Sequence, residues 1–336
     1  MISVYLDWNC LKGVKNPNKK EFEILKSWID KHNHKLKVYY SPSHLADLNK
    51  NYKEQKEKID DDLSFLQQIT KNNIIAKYFG KPEITIEQRD LISFFHEIRT
   101  DKENEESVES IAENIQDELG LNFDDLLKSA GVDLKDLIPN ENEYDDTETS
   151  SQVKKLFNGF FQNGDFNSLL KDIGKLSSTF QNQPTEFNSL RKNLQADLNL
   201  DSNVSNWTSV ISKLDLHLTN TLLGKSFSDS VIEDVNRFHK NPTYFDYYLS
   251  TYNQLGLFGF RSDKLTGKNR FNNSIEDAFH SFYGANSNVF LTNDKTLYYR
   301  SKILFEAFEV KSKLLKTFKI DNTNLFKQEL ESLTNE

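Results

Sequence analysis

Four aspartates occupy positions where a carboxylate can do chemistry. Asp7 follows the apolar run Ile2–Leu6, and Asp294 follows Val289-Phe290-Leu291-Thr292-Asn293, so each ends a predicted strand. In an open parallel sheet, ligands bind outside the carboxyl ends of the strands. Two further acids are paired with histidines, in His44-Leu45-Ala46-Asp47 and Asp277-Ala278-Phe279-His280. On a helix that three-residue spacing puts both groups on one face. Four converging carboxylates repel one another unless a cation neutralises them, and a hard divalent ion with oxygen ligands, Mg²⁺ or Mn²⁺, is the natural choice. Such a cluster activates water and stabilises the leaving oxygen of phosphodiester hydrolysis.

Each residue also has a plainer reading. Asp294 can cap the following helix through the Thr296 and Leu297 amides. Asp277 can be an early-helix acid favoured by the macrodipole, and Glu276 beside it is an alternative ligand. His44 and His280 can be hydrogen-bonded structural histidines, or groups that orient a carboxylate or phosphate from behind. Asp7 is costly to bury without a partner. Cys10 carries no local sign of thiolate activation and reads as a packed thiol.

The elements that must position these residues are α/β in grammar. Ile2–Leu6 reads as a strand, Glu21–Lys31 as an amphipathic helix and Lys37–Tyr40 as a second strand. Ser41-Pro42 opens a helix that carries His44 and Asp47 and is expected to run on to about Thr70. After 240 the same grammar returns. Helices are predicted over Tyr244–Leu257, over Ser274–Tyr283 with Ser274 as N-cap, and over Thr296–Phe308. The third strand is Val289–Thr292, a last strand begins at Phe308–Val310, and a helix closes the chain over Thr323–Leu333. Between these parts, from 79 to 239, apolar residues recur at helical spacing, as in Leu91, Phe94, Phe95 and Ile98. The expected architecture is an α/β core in two parts, 1–78 and 240–336, interrupted by a mostly helical insertion over 79–239.

The acid-bearing motifs resemble those of the PIN-domain, or PIN-like, ribonucleases. Tyr5-Leu6-Asp7 resembles the family's opening motif, Ser41-Pro42-Ser43-His44-Leu45-Ala46-Asp47 its second, Asp277-Ala278-Phe279-His280 with Tyr283-Gly284-Ala285 its third, and Phe290-Leu291-Thr292-Asn293-Asp294 its strand-terminal T-x-D. The second motif more often carries Glu, and Asn288 stands where a further acid is common. The resemblance implies a three-layer α/β/α core around a parallel sheet and a Mg²⁺- or Mn²⁺-dependent endoribonuclease. It implies Asp7, Asp47, Asp277 and Asp294 as catalytic carboxylates, with Asp7, Asp277 and Asp294 as metal ligands and His44, His280 and Thr292 supporting them. The family's habits suggest a toxin–antitoxin or phage-defence effector, with a protein inhibitor or regulator as a second partner. The alternative is a PIN-like module that binds protein or nucleic acid without cutting.

Composition narrows the field. With one cysteine among 336 residues no disulfide scaffold exists, and with 25 Phe the chain is too apolar to be disordered throughout. No apolar run is long enough to span a bilayer and the first residues lack a basic, then apolar, leader, so a cytoplasmic chain with no membrane partner is expected. The net charge of −9 conceals an uneven distribution. Residues 101–150 carry 17 acids and three bases, a balance of −14, which leaves +5 for the rest. The acid block reads as a solvated helical face with a loose linker. Arg261, Lys264, Lys268 and Arg270, then Lys295 and Arg300, flank the acidic motifs as a phosphate-binding track for single-stranded RNA. Phe258, Phe260 and Phe271 beside them are either base-stacking or core residues. Walker A, H-E-x-x-H, C-x-x-C and G-x-S-x-G patterns are absent.

Overall fold

A parallel sheet forms the centre of the computed structural model, which describes residues 1–50, 52–78, 81, 83–103, 185, 188, 206–220, 226–238, 241–258, 260–261 and 271–335. Strand β1 (Ile2–Leu6) lies between β2 (Leu36–Tyr39) and β5 (Val289–Thr292), and β6 (Lys313–Lys316) follows β5, giving the order β2-β1-β5-β6. Tyr5 pairs in register with Tyr39 on one side and Phe290 on the other. The short strand β3 (Asn73–Ala76) is antiparallel to β4 (Thr85–Gln88). It joins the β2 side through a single parallel bridge between Tyr40 and Ile74.

The alternation along each strand separates two apolar layers, because successive side chains point to opposite faces. Val4, Leu6, Val38, Val289 and Leu291 share one cluster with residues of α1 (Trp8–Lys15), α2 (Lys20–Lys31), α4 (Lys56–Thr70), α5 (Leu91–Glu103) and α11 (Thr323–Thr334). Tyr5, Tyr39 and Phe290 join the other with α6 (Trp207–Asn220), α7 (Phe227–Phe238), α8 (Tyr244–Leu257), α9 (Phe271–Ala285) and α10 (Lys295–Ala307). Helices therefore cover both faces of the sheet, as all-parallel strands require. Gly284 lets α9 approach β5 closely, since a Cβ there would come within 2.4 Å of the Phe290 ring.

Several elements differ from the sequence expectation. The helix opened by Ser41 is α3 (Pro42–Asn49) and stops well short of Thr70. The chain turns so that Tyr52 is buried against Phe95 of α5, at a ring separation of 5.3 Å, before α4 begins. Helix α9 starts at Phe271, so Ser274 lies inside it and is not its N-cap. Phe308–Val310 is not a strand. Phe308 and Val310 close the end of α10 by donating to Leu304 and Phe305 at 2.8 Å each, with Glu309 left-handed at φ 50°, and β6 begins only at Lys313. Strand β4 lies in the segment read as helical. The described ends of that segment pack into the sheet's two layers, through Leu91 and Phe95 on one face and Val210, Leu214 and Phe227 on the other. The acid block 101–150 lies outside the described residues, apart from the last turn of α5. Among the described residues no helix is long and apolar enough to cross a membrane.

Candidate functional site

Two neighbouring strands, β1 and β5, deliver Asp7 and Asp294 to the same end of the sheet, and both aspartates cap the helix that follows. Asp7 accepts from the Cys10 amide at 2.6 Å at the start of α1, and Asp294 accepts from the Leu297 amide at 2.8 Å at the start of α10. The Thr292 hydroxyl ties the two together. It donates to the second Asp7 oxygen at 2.5 Å and accepts from the Asp294 amide at 2.9 Å. The Asn293 amide donates to the same Asp7 oxygen at 3.2 Å. Asp7 is only 2% exposed. Burial raises its pKa against the Thr292 and Cys10 hydrogen bonds and the His280 charge, which lower it, and Asp294 adds to the rise. A cation is the group that would reverse that balance.

Asp47 has a different environment. On α3 it accepts from Lys50 Nζ at 2.9 Å, and its other oxygen meets His280 Nε2 of α9 at 3.2 Å. Lys50 also pairs with Glu276 of α9. Burial works against ionisation of Asp47, yet the His280 hydrogen bond and the Lys50 ammonium hold its carboxyl well below the usual range. Burial pushes Glu276 upward.

Behind Asp47 runs a buried chain of hydrogen bonds. Tyr5 Oη lies 2.7 Å from His280 Nδ1 and 2.7 Å from Ser41 Oγ. The carboxylate is acceptor-only, so His280 donates from Nε2. Its neutral form then accepts from Tyr5 at Nδ1, and Tyr5 accepts from Ser41. His44 lies alongside, with ring centroids 4.9 Å from His280. Its Nε2 donates to the Leu6 carbonyl at 2.7 Å and its Nδ1 accepts from the Ser41 amide at 3.0 Å. Burial lowers the His44 pKa to about 3, so the ring is neutral at neutral pH. His280 thus supports a carboxylate directly, whereas His44 holds the strand end just before Asp7.

Asp277 is half-buried on α9, one turn before Ser281. The helices around it carry a second polar seam: Tyr248 Oη of α8 to Ser281 Oγ at 2.7 Å, and Ser301 Oγ of α10 to Ser281 Oγ at 2.7 Å. Asp277 and Asp294 both act electrostatically on Tyr252, one turn beyond Tyr248. The four predicted carboxylates therefore line one end of the fold as a strand-end pair and two helix-borne acids, not as a single cluster. Among the described residues no group of three or more His, Cys, Asp or Glu side chains is arranged to hold a metal ion. The donor chemistry fits a hard ion of low protein coordination, because Mg²⁺ is usually held by one or two carboxylates with water and substrate phosphate completing the shell.

The basic track is only partly described. Lys264, Lys268 and Arg270 lie outside the described residues, and Lys295 is exposed at the start of α10. Arg300 is not on a solvent-facing track. It is 2% exposed, and its Nε donates to the Phe260 carbonyl at 3.0 Å. Its guanidinium faces α8, with the central carbon 5.2 Å from the centre of the Tyr252 ring, and such burial of a long cationic side chain is tolerated when its donors are met. Phe258 and Phe260 are buried in that layer, which makes them core residues. Cys10 is buried, with Sγ 3.2 Å from Thr317 Oγ1, and burial pushes its thiol up, as a packed thiol should behave.

Tyr5, Lys50 and Tyr252 carry no sequence signal for a role here, whereas Ser41, read as the residue that opens α3, stands at its N-cap and also meets Tyr5. Only the alternation of Ile2–Leu6, which turns Tyr5 away from Val4 and Leu6, places it on the face where His280 lies. No protein-family model matches the chain, and neither a curated protein nor a solved structure matches it significantly.

Proposed function

We propose that this chain is a divalent-metal-dependent nuclease of the PIN-like type, an endoribonuclease that hydrolyses phosphodiester bonds of single-stranded RNA. The observation that carries the reading is the Thr292 hydroxyl, which locks the Asp7 and Asp294 strand ends together at 2.5 and 2.9 Å. Strand-end carboxylates on adjacent parallel strands mark a ligand crevice, and a buried carboxylate whose pKa is raised beside a second acid suits a cation. Asp7 and Asp294 would hold Mg²⁺ or Mn²⁺, with Asp277 on the neighbouring helix as the third acid. When bound, the ion supplies Lewis-acid polarisation of a phosphoryl oxygen and a water acidic enough to attack at neutral pH. Thr292 and the Cys10 and Asn293 amides fix the Asp7 oxygens before substrate arrives. His280 and Lys50 fix Asp47 in its ionised form at the rim, where it can orient a water.

The test is direct. Mn²⁺ binding followed by electron paramagnetic resonance, with cleavage of a labelled single-stranded RNA alongside, should show both in the parent protein and neither in Asp294→Asn. EDTA should abolish cleavage. A folded parent that takes up no Mn²⁺ and cuts no RNA would sink the proposal.

A second reading has its own support. Asp7 accepts three hydrogen bonds and Asp47 is engaged by an imidazole and an ammonium, so both are already well satisfied by protein groups. That favours a non-catalytic PIN-like module that binds a partner. RNA bound without metal and left uncut would select it.

A further inference from the structure

The buried chain behind Asp47 ends in an acceptor on both sides. Ser41 Oγ lies 2.7 Å from Tyr5 Oη and 3.2 Å from His44 Nδ1, and Tyr5 Oη lies 2.7 Å from His280 Nδ1. His280 Nε2 then meets Asp47 Oδ2 at 3.2 Å. Tyr5, Ser41 and His44 are fully buried and His280 nearly so, so these polar groups must satisfy one another. At one end Asp47, held ionised, only accepts. At the other, His44 donates from Nε2 to the Leu6 carbonyl, which leaves a lone pair at Nδ1.

Between two acceptor ends, two hydroxyls and one imidazole have two complete arrangements. With neutral His280, Nε2 donates to Asp47, Tyr5 donates to Nδ1 and Ser41 donates to Tyr5. When the ring carries a second proton, Nδ1 donates to Tyr5, Tyr5 donates to Ser41 and Ser41 donates to His44 Nδ1. Two hydroxyl hydrogens rotate, no heavy atom moves, and every hydrogen has an acceptor in both states. Tyr5 stays a phenol throughout, because burial raises its pKa well above the ordinary value. Around the ring, Asp7 at the end of β1 interacts with it electrostatically. On α3, Lys50 is engaged by Asp47 and Glu276, and the His44 ring stands edge-on at 4.9 Å. On α9 itself Asp277 lies one turn earlier, and Tyr283, one turn on in sequence, accepts from the Lys77 amide at 3.4 Å. Helices α8 and α10 meet α9 at the neighbouring Ser281, through Tyr248 and Ser301.

We propose that Tyr5 is a positioning residue: by reversing its hydroxyl, it keeps His280 on Asp47 whether the imidazole carries one ring proton or two. The use of Asp47 in cleavage rests on the nuclease reading, whereas the positioning does not. A side chain that only donates or only accepts would satisfy one state of the ring and leave a buried polar group unpaired in the other. A hydroxyl does both, so the bridge between α3 and α9 persists while the charge of the ring changes.

The experiment follows the two ring nitrogens of His280 by ¹⁵N NMR of histidine-labelled protein from about pH 5 to 8, the range in which imidazoles titrate, without metal or RNA. The parent should carry its proton on Nε2 at the alkaline end and protons on both nitrogens at the acid end. Tyr5→Phe keeps the aromatic ring and removes the acceptor. It should weaken binding of the second proton about tenfold, because a hydrogen bond from a charged donor is worth roughly twice one from a neutral donor. Tyr248→Phe is the control. It removes an equally buried phenol hydroxyl, bonded to Ser281 on the same helix, so a merely structural loss is common to both variants while the His280 titration changes only in Tyr5→Phe. A parent-like titration in Tyr5→Phe, a neutral parent ring protonated on Nδ1, or a parent ring that gains no second proton down to about pH 5 overturns the proposal. If Tyr5→Phe does not fold, Ser41→Ala removes the acceptor that Tyr5 needs in the protonated arrangement and should weaken the second proton likewise. A parent-like titration there overturns the proposal too. Tyr5-dependent titration in a protein that never cuts RNA supports the positioning and removes the nuclease reading alone.

Discussion

Asp7 and Asp47 belong to the same end of the sheet, and their surroundings push them in opposite directions. Asp7, enclosed at the end of β1 with only neutral donors in contact and Asp294 nearby, has its pKa raised by burial. Asp47, on the first helix after β2, is held low by His280 and Lys50 although burial opposes it. Both accept hydrogen bonds, so hydrogen bonding alone does not separate them. What differs is a cation in direct contact, since the charges acting on Asp7 are mixed, with His280 lowering its pKa and Asp294 raising it. Asp47 has its counter-ion in Lys50, whereas the hydrogen bonds that reach Asp7 come from neutral donors. Two carboxylates that look alike in the sequence thus divide into a strand-end acid held by neutral donors and a bridge that braces α3 against α9.

The largest expected effect separates these two regions. Asp7→Asn should lower cleavage of single-stranded RNA by about 10³-fold or more, equivalent to about 4 kcal/mol of transition-state stabilisation. Its melting temperature should hold or rise, because the substitution removes a charge that burial disfavours. Undiminished cleavage in that variant would take Asp7 out of the site. Disturbing the bridge without touching any carboxylate is the next step. Gly284→Ala drives a methyl group into the Phe290 ring, moves α9 and should cost about 1–3 kcal/mol in denaturant unfolding. A variant as stable as the parent would mean that α9 tolerates displacement from β5.

His280→Gln sharpens the contrast further. It should reduce cleavage about 10- to 100-fold, as loss of a group orienting a reactive carboxylate does, while leaving Mn²⁺ affinity close to that of the parent. An equal loss of Mn²⁺ binding would show that the bridge and the strand-end pair act as one unit.

The smallest effect is in pH dependence. The folded-state pKa of Asp47 lies below its ordinary value of about 3.9, so its contribution to stability is complete above that pH and is lost as pH falls. Asp7, with a raised pKa, behaves in the opposite sense: its ionised form costs stability, and acidification relieves the cost. Asp47→Asn should therefore flatten the loss of stability below about pH 4, and Asp7→Asn should steepen it. Equilibrium unfolding from pH 3 to 7 would reveal both, and identical acid limbs in the two variants would contradict the assignment.

Local residue pattern was enough to find the strands and helices that carry the acids. Ile2–Leu6, Val289–Thr292 and Tyr244–Leu257 are bounded where apolar run, capping residue and turn agree. The T-x-D segment announced Thr292 and Asp294, and the plain reading of Asp294 as a cap of α10 is realised through the Leu297 amide. The same local logic failed where a distant contact decides the outcome. Nothing near Lys50 foretells that Tyr52 will turn into the core against Phe95 and end the helix. Nor does anything near Phe308 show that β6 will pair with β5 only five residues later. Arg300, basic and next to an acidic motif, had the local features of a surface contact. Its burial depends on the Phe260 carbonyl, 40 residues away. The sequence by itself determined which residue types stand at the ends of which elements, because that is written in short-range pattern. Which carboxylate received a counter-ion was decided by tertiary structure, because that outcome depends on side chains of α3 and α9 that the parallel crossovers bring together from opposite ends of the chain.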